Sequence, residues 1–174
     1  MSTESISRLA KVTEAKYKAC GISGPALYRH FPSKDAMLAE MLVSISEELL
    51  AVGRERVRES EGPREALHAL VNWHIDFALT NKALIIVQDR DWASLPDEAR
   101  ERVRDLQRRY VELWVDQLRE IHRGLPPDRA RAMAHAVFGL LNSTPHSALL
   151  SEEQMRSMLE EMALAALDPG SRRA

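Results

Sequence analysis

Apolar residues recur every three to four positions along nearly the whole chain, and turn signals cut this rhythm into helices. Ile6, Leu9, Ala10, Thr13, Tyr17 and Cys20 stripe a first amphipathic helix that ends at Gly21. Leu27 and Phe31 lie four apart and anchor a short helix that Pro32 closes. Leu38, Met41, Leu42, Ile45 and Leu49 mark a long helix from about Lys34 to Arg58, broken at Ser60–Pro63. Leu67, Leu70, Val71, His74 and Ala78 carry the pattern to about Thr80, where Asn81 interrupts it. Leu84–Val87 is a β-branched run, but no second such run exists to pair with it, and a lone strand leaves its backbone unsatisfied. It is therefore predicted as a short helix. After Ser94–Asp97, Ala99, Val103, Leu106, Tyr110, Leu113, Trp114, Leu118 and Ile121 stripe a helix to about His122.

The next helix, about Asp128 to Ser147, differs in kind. Between Ala132 and Leu141 only His135 is strongly polar, so the helix is expected to be buried on all sides. Ser151-Glu152-Glu153-Gln154 is a capping box. It opens a last helix with Met155, Met158, Leu159, Met162, Ala163 and Ala166 on one face. Asp168-Pro169-Gly170 ends it, and residues 169–174 read as a disordered tail. The expected fold is all-α, with about eight or nine helices.

The stretch from Cys20 to Asp35 carries the densest punctuation. Gly21 suits a helix C-terminus, Ser23 can cap the next helix, and Pro25 falls in its first turn, where its missing N–H costs little. With Leu27 and Phe31 turned inward, Tyr28, Arg29 and His30 are left toward the outside. Ser33 caps the following helix and puts Lys34 in its first turn, where a cation opposes the helix dipole. A phosphate would reverse that penalty, and exposed N-terminal N–H groups suit an anion. The punctuation fits the recognition half of a helix-turn-helix, and equally an ordinary short surface helix followed by a solvated lysine.

Gly21-Ile22-Ser23, Leu27-Tyr28, His30-Phe31 and Lys34 together resemble the signature of TetR-type bacterial transcriptional regulators. The resemblance implies an N-terminal helix-turn-helix over residues 1–44, and a larger ligand-binding and dimerisation domain over residues 45–168. It also implies a homodimer on palindromic operator DNA, released by a small molecule. Ser23, Gly24, Pro25, Tyr28, Arg29, His30 and Lys34 would face the DNA. One feature departs from the family pattern. Two helices and a loop normally precede the recognition helix, whereas here only 22 residues precede Ser23 and carry one unbroken stripe. Two helices of average length would need more than that. The DNA-binding region is therefore expected to be shortened and less stable than the body. The contrasting expectation is a dimeric small-molecule-binding or protein-interaction module without DNA-binding competence.

Composition changes this picture little. The net charge of −2 gives no support to a nucleic-acid partner by itself. Residues 1–42, however, carry six basic and four acidic groups, against 18 and 22 in the remainder. A mildly basic end on an acidic body suits phosphate contacts. The lone Cys20 excludes an intramolecular disulfide and any multi-cysteine zinc site. No secretory signal or membrane-length apolar run is present, so a cytoplasmic location is expected.

No phosphate-cradling glycine loop, nucleophile elbow or H-x-x-x-H pair occurs, so neither an enzyme nor a metal or organic cofactor is expected. His74 and His135 are polar residues on otherwise apolar faces. Each reads either as a core histidine satisfied by a carbonyl or water, or as a polar group inside a ligand cavity. In the second reading Trp73, Phe77, Trp92, Tyr110, Trp114, Phe138 and Asn142 supply the walls. The family resemblance, which implies an effector among the central helices, favours that reading, and the apolar, aromatic composition of these walls favours a small lipophilic effector.

Overall fold

The computed structural model of the chain describes residues 33–144 and 149–168. Among these residues are six α-helices, one 3-10 turn and no strand. The helices are α1 (Lys34–Glu59), α2 (Pro63–Thr80), α3 (Lys82–Asp91), α4 (Asp97–Ile121), α5 (Pro127–Leu141) and α6 (Glu152–Leu167), with the 3-10 turn at Trp92–Ser94. The fold is all-α, and the β-branched run at Leu84–Val87 lies inside α3.

Local chemistry places the ends. The Ser33 hydroxyl accepts from the Ala36 N–H at 3.1 Å to cap α1. Pro63 and Pro127 stand at the first positions of α2 and α5, where a missing N–H costs nothing. The capping box closes on α6 in both directions, Ser151 Oγ accepting from Gln154 N and Gln154 Oε1 from Ser151 N.

Helix α5 stops short of the expected Ser147. The Asn142 N–H bonds back to the Phe138 carbonyl, Ser143 tightens the turn onto Leu140, and the Thr144 hydroxyl donates to the Ala78 carbonyl of α2. Pro145 follows, and a proline both disfavours helical backbone in its predecessor and clashes with the carbonyl four residues back.

Helix α4 is the central post. Its buried stripe of Val103, Leu106, Tyr110, Val111, Trp114, Val115 and Leu118 packs against α1, α2 and α5. Helix α6 lies across α2 and α5, burying Met155, Leu159, Ala163 and Leu167. All of these but Val103 join one large core with Leu70, Val71 and Ile75 of α2 and with Ala134, Val137 and Leu141 of α5. A smaller cluster forms at the N-terminal end of α1, where Leu38, Ala39, Leu42 and Ile45 meet Leu84, Leu95 and Val103. Gly53 lets α1 approach α4 closely, since a Cβ there would lie 2.8 Å from the Tyr110 ring. Ion pairs stitch the rim: Glu47 with Arg102 between α1 and α4, Glu112 with Arg131 between α4 and α5, and Asp76 with Arg156 between α2 and α6.

The apolar helix α5 is buried in the single chain on one face only. Ala130, Ala134, Val137 and Leu141 are covered, whereas Ala132, Ala136 and Gly139 are exposed. Helix α6 divides likewise: Met158 and Met162 remain 37% and 46% exposed, and Ala166 is exposed beside them. The expectation of burial on all sides fails for the isolated chain because one layer of helices covers one side of a helix.

Candidate functional site

The His74 side chain sits where α2, α4 and α5 converge. It is buried, with its ring stacked on Phe138 (centroids 4.7 Å apart, planes 12° apart) and on Tyr110 (5.8 Å, 19°). Phe77 tilts against it at 5.5 Å, and the Trp114 ring stands perpendicular to it at 6.1 Å. These contacts follow from spacing. His74 and Phe77 share a side of α2, Tyr110 and Trp114 are one turn apart on α4, and Phe138 lies one turn before the end of α5. Asn142, just past that end, accepts a hydrogen bond at Oδ1 from His74 Nε2 at 3.2 Å.

The other histidine nitrogen, Nδ1, has no hydrogen-bond partner among the described residues, whereas Tyr110 Oη and Trp114 Nε1 interact with each other without forming a well-aligned hydrogen bond. Burial lowers the His74 pKa from its ordinary 6.5 to about 4, the hydrogen bond to Asn142 opposing it. The imidazole is thus neutral near pH 7. Burial also pushes the Tyr110 phenol well above the usual tyrosine range.

These residues border a cavity of about 220 Å³. Its wall takes Ile45, Ser46 and Leu49 from α1, His74 and Phe77 from α2, and Ile85 and Gln88 from α3. Gln107 and Tyr110 come from α4, His135 and Phe138 from α5, and Asn142 from beyond it. Five helices therefore meet around one space. A second hollow of about 180 Å³ lies alongside, between α1 and α2, and shares Ile45, Leu49 and Phe77 with the first.

Of the residues singled out from sequence as ligand-binding, His74, Phe77, Tyr110, His135, Phe138 and Asn142 border this cavity. The three tryptophans do not. Trp73 donates its indole N–H to the Leu49 carbonyl at 3.1 Å and lines the second hollow. Trp114 is fully buried behind the cavity wall, perpendicular to Phe138 at 4.9 Å. Trp92 belongs to the smaller cluster, with the Arg104 guanidinium 5.6 Å over its ring. Aromatic identity selected these three, and identity does not say which side of a helix meets a space. Ser46 was legible, as a polar residue inside the stripe Leu42, Ile45, Leu49, Leu50. It satisfies itself by donating to the Leu42 carbonyl at 2.6 Å. Gln88 and Gln107 carried no signal that separates them from solvated glutamines. Ser23, Gly24, Pro25, Tyr28, Arg29 and His30 lie outside the described residues. Lys34 opens α1, and its side chain lies outside them too.

Residues 60–146, half of the chain, match the family described as "Tetracyclin repressor-like, C-terminal domain", and residues 17–41 match "Bacterial regulatory proteins, tetR family". The chain belongs to the TetR family. The C-terminal match takes in every cavity-lining residue except the three on α1; the N-terminal match is short and takes in every DNA-facing candidate. The chain is 31% identical over 122 residues to the nucleoid occlusion factor SlmA of Vibrio atlanticus, covering 70% of this chain. It is also 31% identical over 98 residues to the HTH-type transcriptional repressor KstR2 of Rhodococcus jostii, covering 56% of this chain and 48% of KstR2. The chain spans about 60% of the length of the SlmA relatives it matches. In fold it superposes on a TetR-family transcriptional regulator from Bordetella parapertussis with a TM-score of 0.70 and 20% identity, covering 92% of this chain and 90% of that one. No helix among the described residues is long and apolar enough to cross a membrane.

Proposed function

We propose that the protein is a ligand-responsive transcriptional repressor that binds palindromic operator DNA as a homodimer and releases it when a small molecule occupies the cavity beside His74. One observation carries this reading. Helix α1 is a single rod of 26 residues that begins inside the N-terminal family match and forms a wall of the cavity at Ile45, Ser46 and Leu49. At 1.5 Å per residue it spans about 39 Å. A shift at its cavity wall therefore moves the segment that holds the recognition helix, and two half-sites at fixed spacing tolerate little such movement. The effector must favour one state of α1 over the other to have any effect. The likeness to a transcriptional repressor, KstR2, supports the same reading.

A gel shift on genomic fragments from around the gene tests it. A retarded band that fades on adding effector is expected; no binding to any fragment would favour the small-molecule or protein-interaction module. Within that experiment, Lys34→Ala should weaken binding to all sequences and lower the slope of log affinity against log salt by about one, because one phosphate contact is lost. An unchanged slope would remove the phosphate role from Lys34.

The dimer is supported by the exposed apolar strip of Ala132, Ala136 and Gly139 on α5 and Met158 and Met162 on α6. Small residues let a partner helix come close, and the methionines adapt to its surface. Stable interfaces of this apolar kind bury on the order of 2,000 Å² or more. Met158→Asp is expected to weaken self-association at least about tenfold while leaving helicity intact, since Met158 contributes little to the fold of one chain. Sedimentation at micromolar concentration measures it, and a wild-type monomer there would defeat the dimer outright. Leu140→Asp should dissociate the dimer too, but Leu140 also packs partly on the core, so that variant loses stability as well.

A further inference from the structure

His135 belongs to two stripes of α5 at once. With Phe138 and Asn142 it keeps the spacing i, i+3, i+7, and all three line the cavity beside His74. With Ala132 and Gly139 it keeps the same spacing, and these three are exposed, as is the neighbouring Ala136. The His135 ring lies 6.2 Å from that of Phe138 and perpendicular to it. One side chain thus forms part of the cavity wall and the border of the apolar strip.

The strip is open to a neighbour, since a Cβ built at Gly139 would meet nothing within 4 Å. Its members, Ala132, Ala136, Gly139, Met158 and Met162, carry no charge. A two-fold axis places the same patch on both sides of a contact, and an uncharged patch meets its own copy without repulsion. Area then decides how far that copy extends. Stable interfaces take about 20–30 residues a side. A dimer built on this strip must therefore reach beyond it, and toward the cavity the next residue around α5 is His135.

We propose that the second copy of the chain covers His135 and thereby closes the cavity on its α5 side. This rests on the homodimer proposed above, and it makes the cavity incomplete in a single chain. Coupling then runs in both directions. A cavity occupant that moves His135 alters the fit between the copies, and the partner alters occupancy by the same factor. The dimer becomes a second route for the signal, beside α1.

Chemical labelling of the whole 174-residue protein, read residue by residue by mass spectrometry, tests both parts. Sedimentation of the same samples fixes which is dimer and which is monomer. Diethyl pyrocarbonate reports on His135. His68 is the internal reference: it is exposed, and its partner Glu160 lies two residues from Met158, on nearly the opposite side of α6. Where about four-fifths of the chains are dimeric only the remaining fifth can react, so His135 is expected to react about fivefold more slowly in the wild type than in monomeric Met158→Asp. Ser46→Cys puts a thiol on the α1 wall of the cavity, at a position only 7% exposed. N-ethylmaleimide is expected to reach that thiol about fivefold more slowly in the dimer than in the Met158→Asp background, for the same reason.

Equal labelling of His135 in a dimeric wild type and a monomeric variant overturns the proposal and leaves the dimer standing. Protection of His135 with equal labelling of the thiol overturns the closure of the cavity. A wild type that sediments as a monomer, or a Met158→Asp variant that stays dimeric, overturns this proposal together with the dimer built on the strip.

Discussion

Trp114→Ala is expected to cost about 3–5 kcal/mol of folding stability, the range for deleting a large aromatic from a packed core. The side chain is wholly buried on the central helix α4. Its ring stands perpendicular to those of Phe138 at 4.9 Å and His74 at 6.1 Å, so its removal undermines three helices together. Such edge-to-face pairs add stability beyond area alone. The cavity left behind would merge with the space beside His74, and α2, α4 and α5 are pinned by ion pairs at the rim that limit collapse. Trp114→Phe should be far milder. It keeps most of the packing and removes an indole N–H that makes no well-aligned hydrogen bond, only a weak interaction with Tyr110. Urea unfolding at matched protein concentration measures both, because self-association shifts the midpoint by mass action. A loss of under about 1 kcal/mol in the alanine variant would mean that the three helices do not depend on this ring.

The helices were legible because their signals are local. Ser60–Pro63, Asn81, Pro96-Asp97, Pro126-Pro127 and the Ser151–Gln154 box each satisfy or deny backbone groups within one turn, and the observed ends fall at or beside them. The exception is the end of α5. The Thr144 hydroxyl fastens the chain to the Ala78 carbonyl, 66 residues away, and no local pattern announces that bond. The cavity was legible only in part. His74 and His135 stood out as polar residues in apolar surroundings. The wall supplied by α1 did not, because Ile45 and Leu49 look like any core stripe. Helix α3 contributes Ile85 and Gln88 through a placement that only tertiary packing decides. The tryptophans border other surroundings for a related reason. A large ring far from any space and one lining it have the same sequence signature, and Trp92 packs with the cluster of Leu38, Leu95 and Val103 instead. Periodicity likewise marked α5 as apolar without saying that its second side awaits another surface.

Stability should fall by about 3 kcal/mol as the pH is lowered from 7 to 4, through His74 alone. In the unfolded chain this imidazole takes up its proton near pH 6.5, whereas in the folded protein burial holds the pKa at about 4. Between those values the unfolded state binds more protons than the folded one, so acid favours unfolding. The contribution is present in full above pH 6.5 and is lost progressively as the pH falls to about 4. A tenfold difference in proton affinity between the two states is worth about 1.4 kcal/mol, which sets the total. The titratable groups facing His74 across the cavity are Tyr110 on α4 and His135 on α5. Tyr110 is held neutral throughout this range. Urea midpoints between pH 7 and pH 5 give the cleanest window, before carboxylates dominate acid unfolding. There the wild type should lose about 2 kcal/mol more than His74→Phe, whose ring can keep the stack on Phe138 but takes no proton. Parallel pH profiles for the two proteins would show that His74 accepts a proton in the folded state as readily as in the unfolded chain, and that the aromatic cluster around it is open to water.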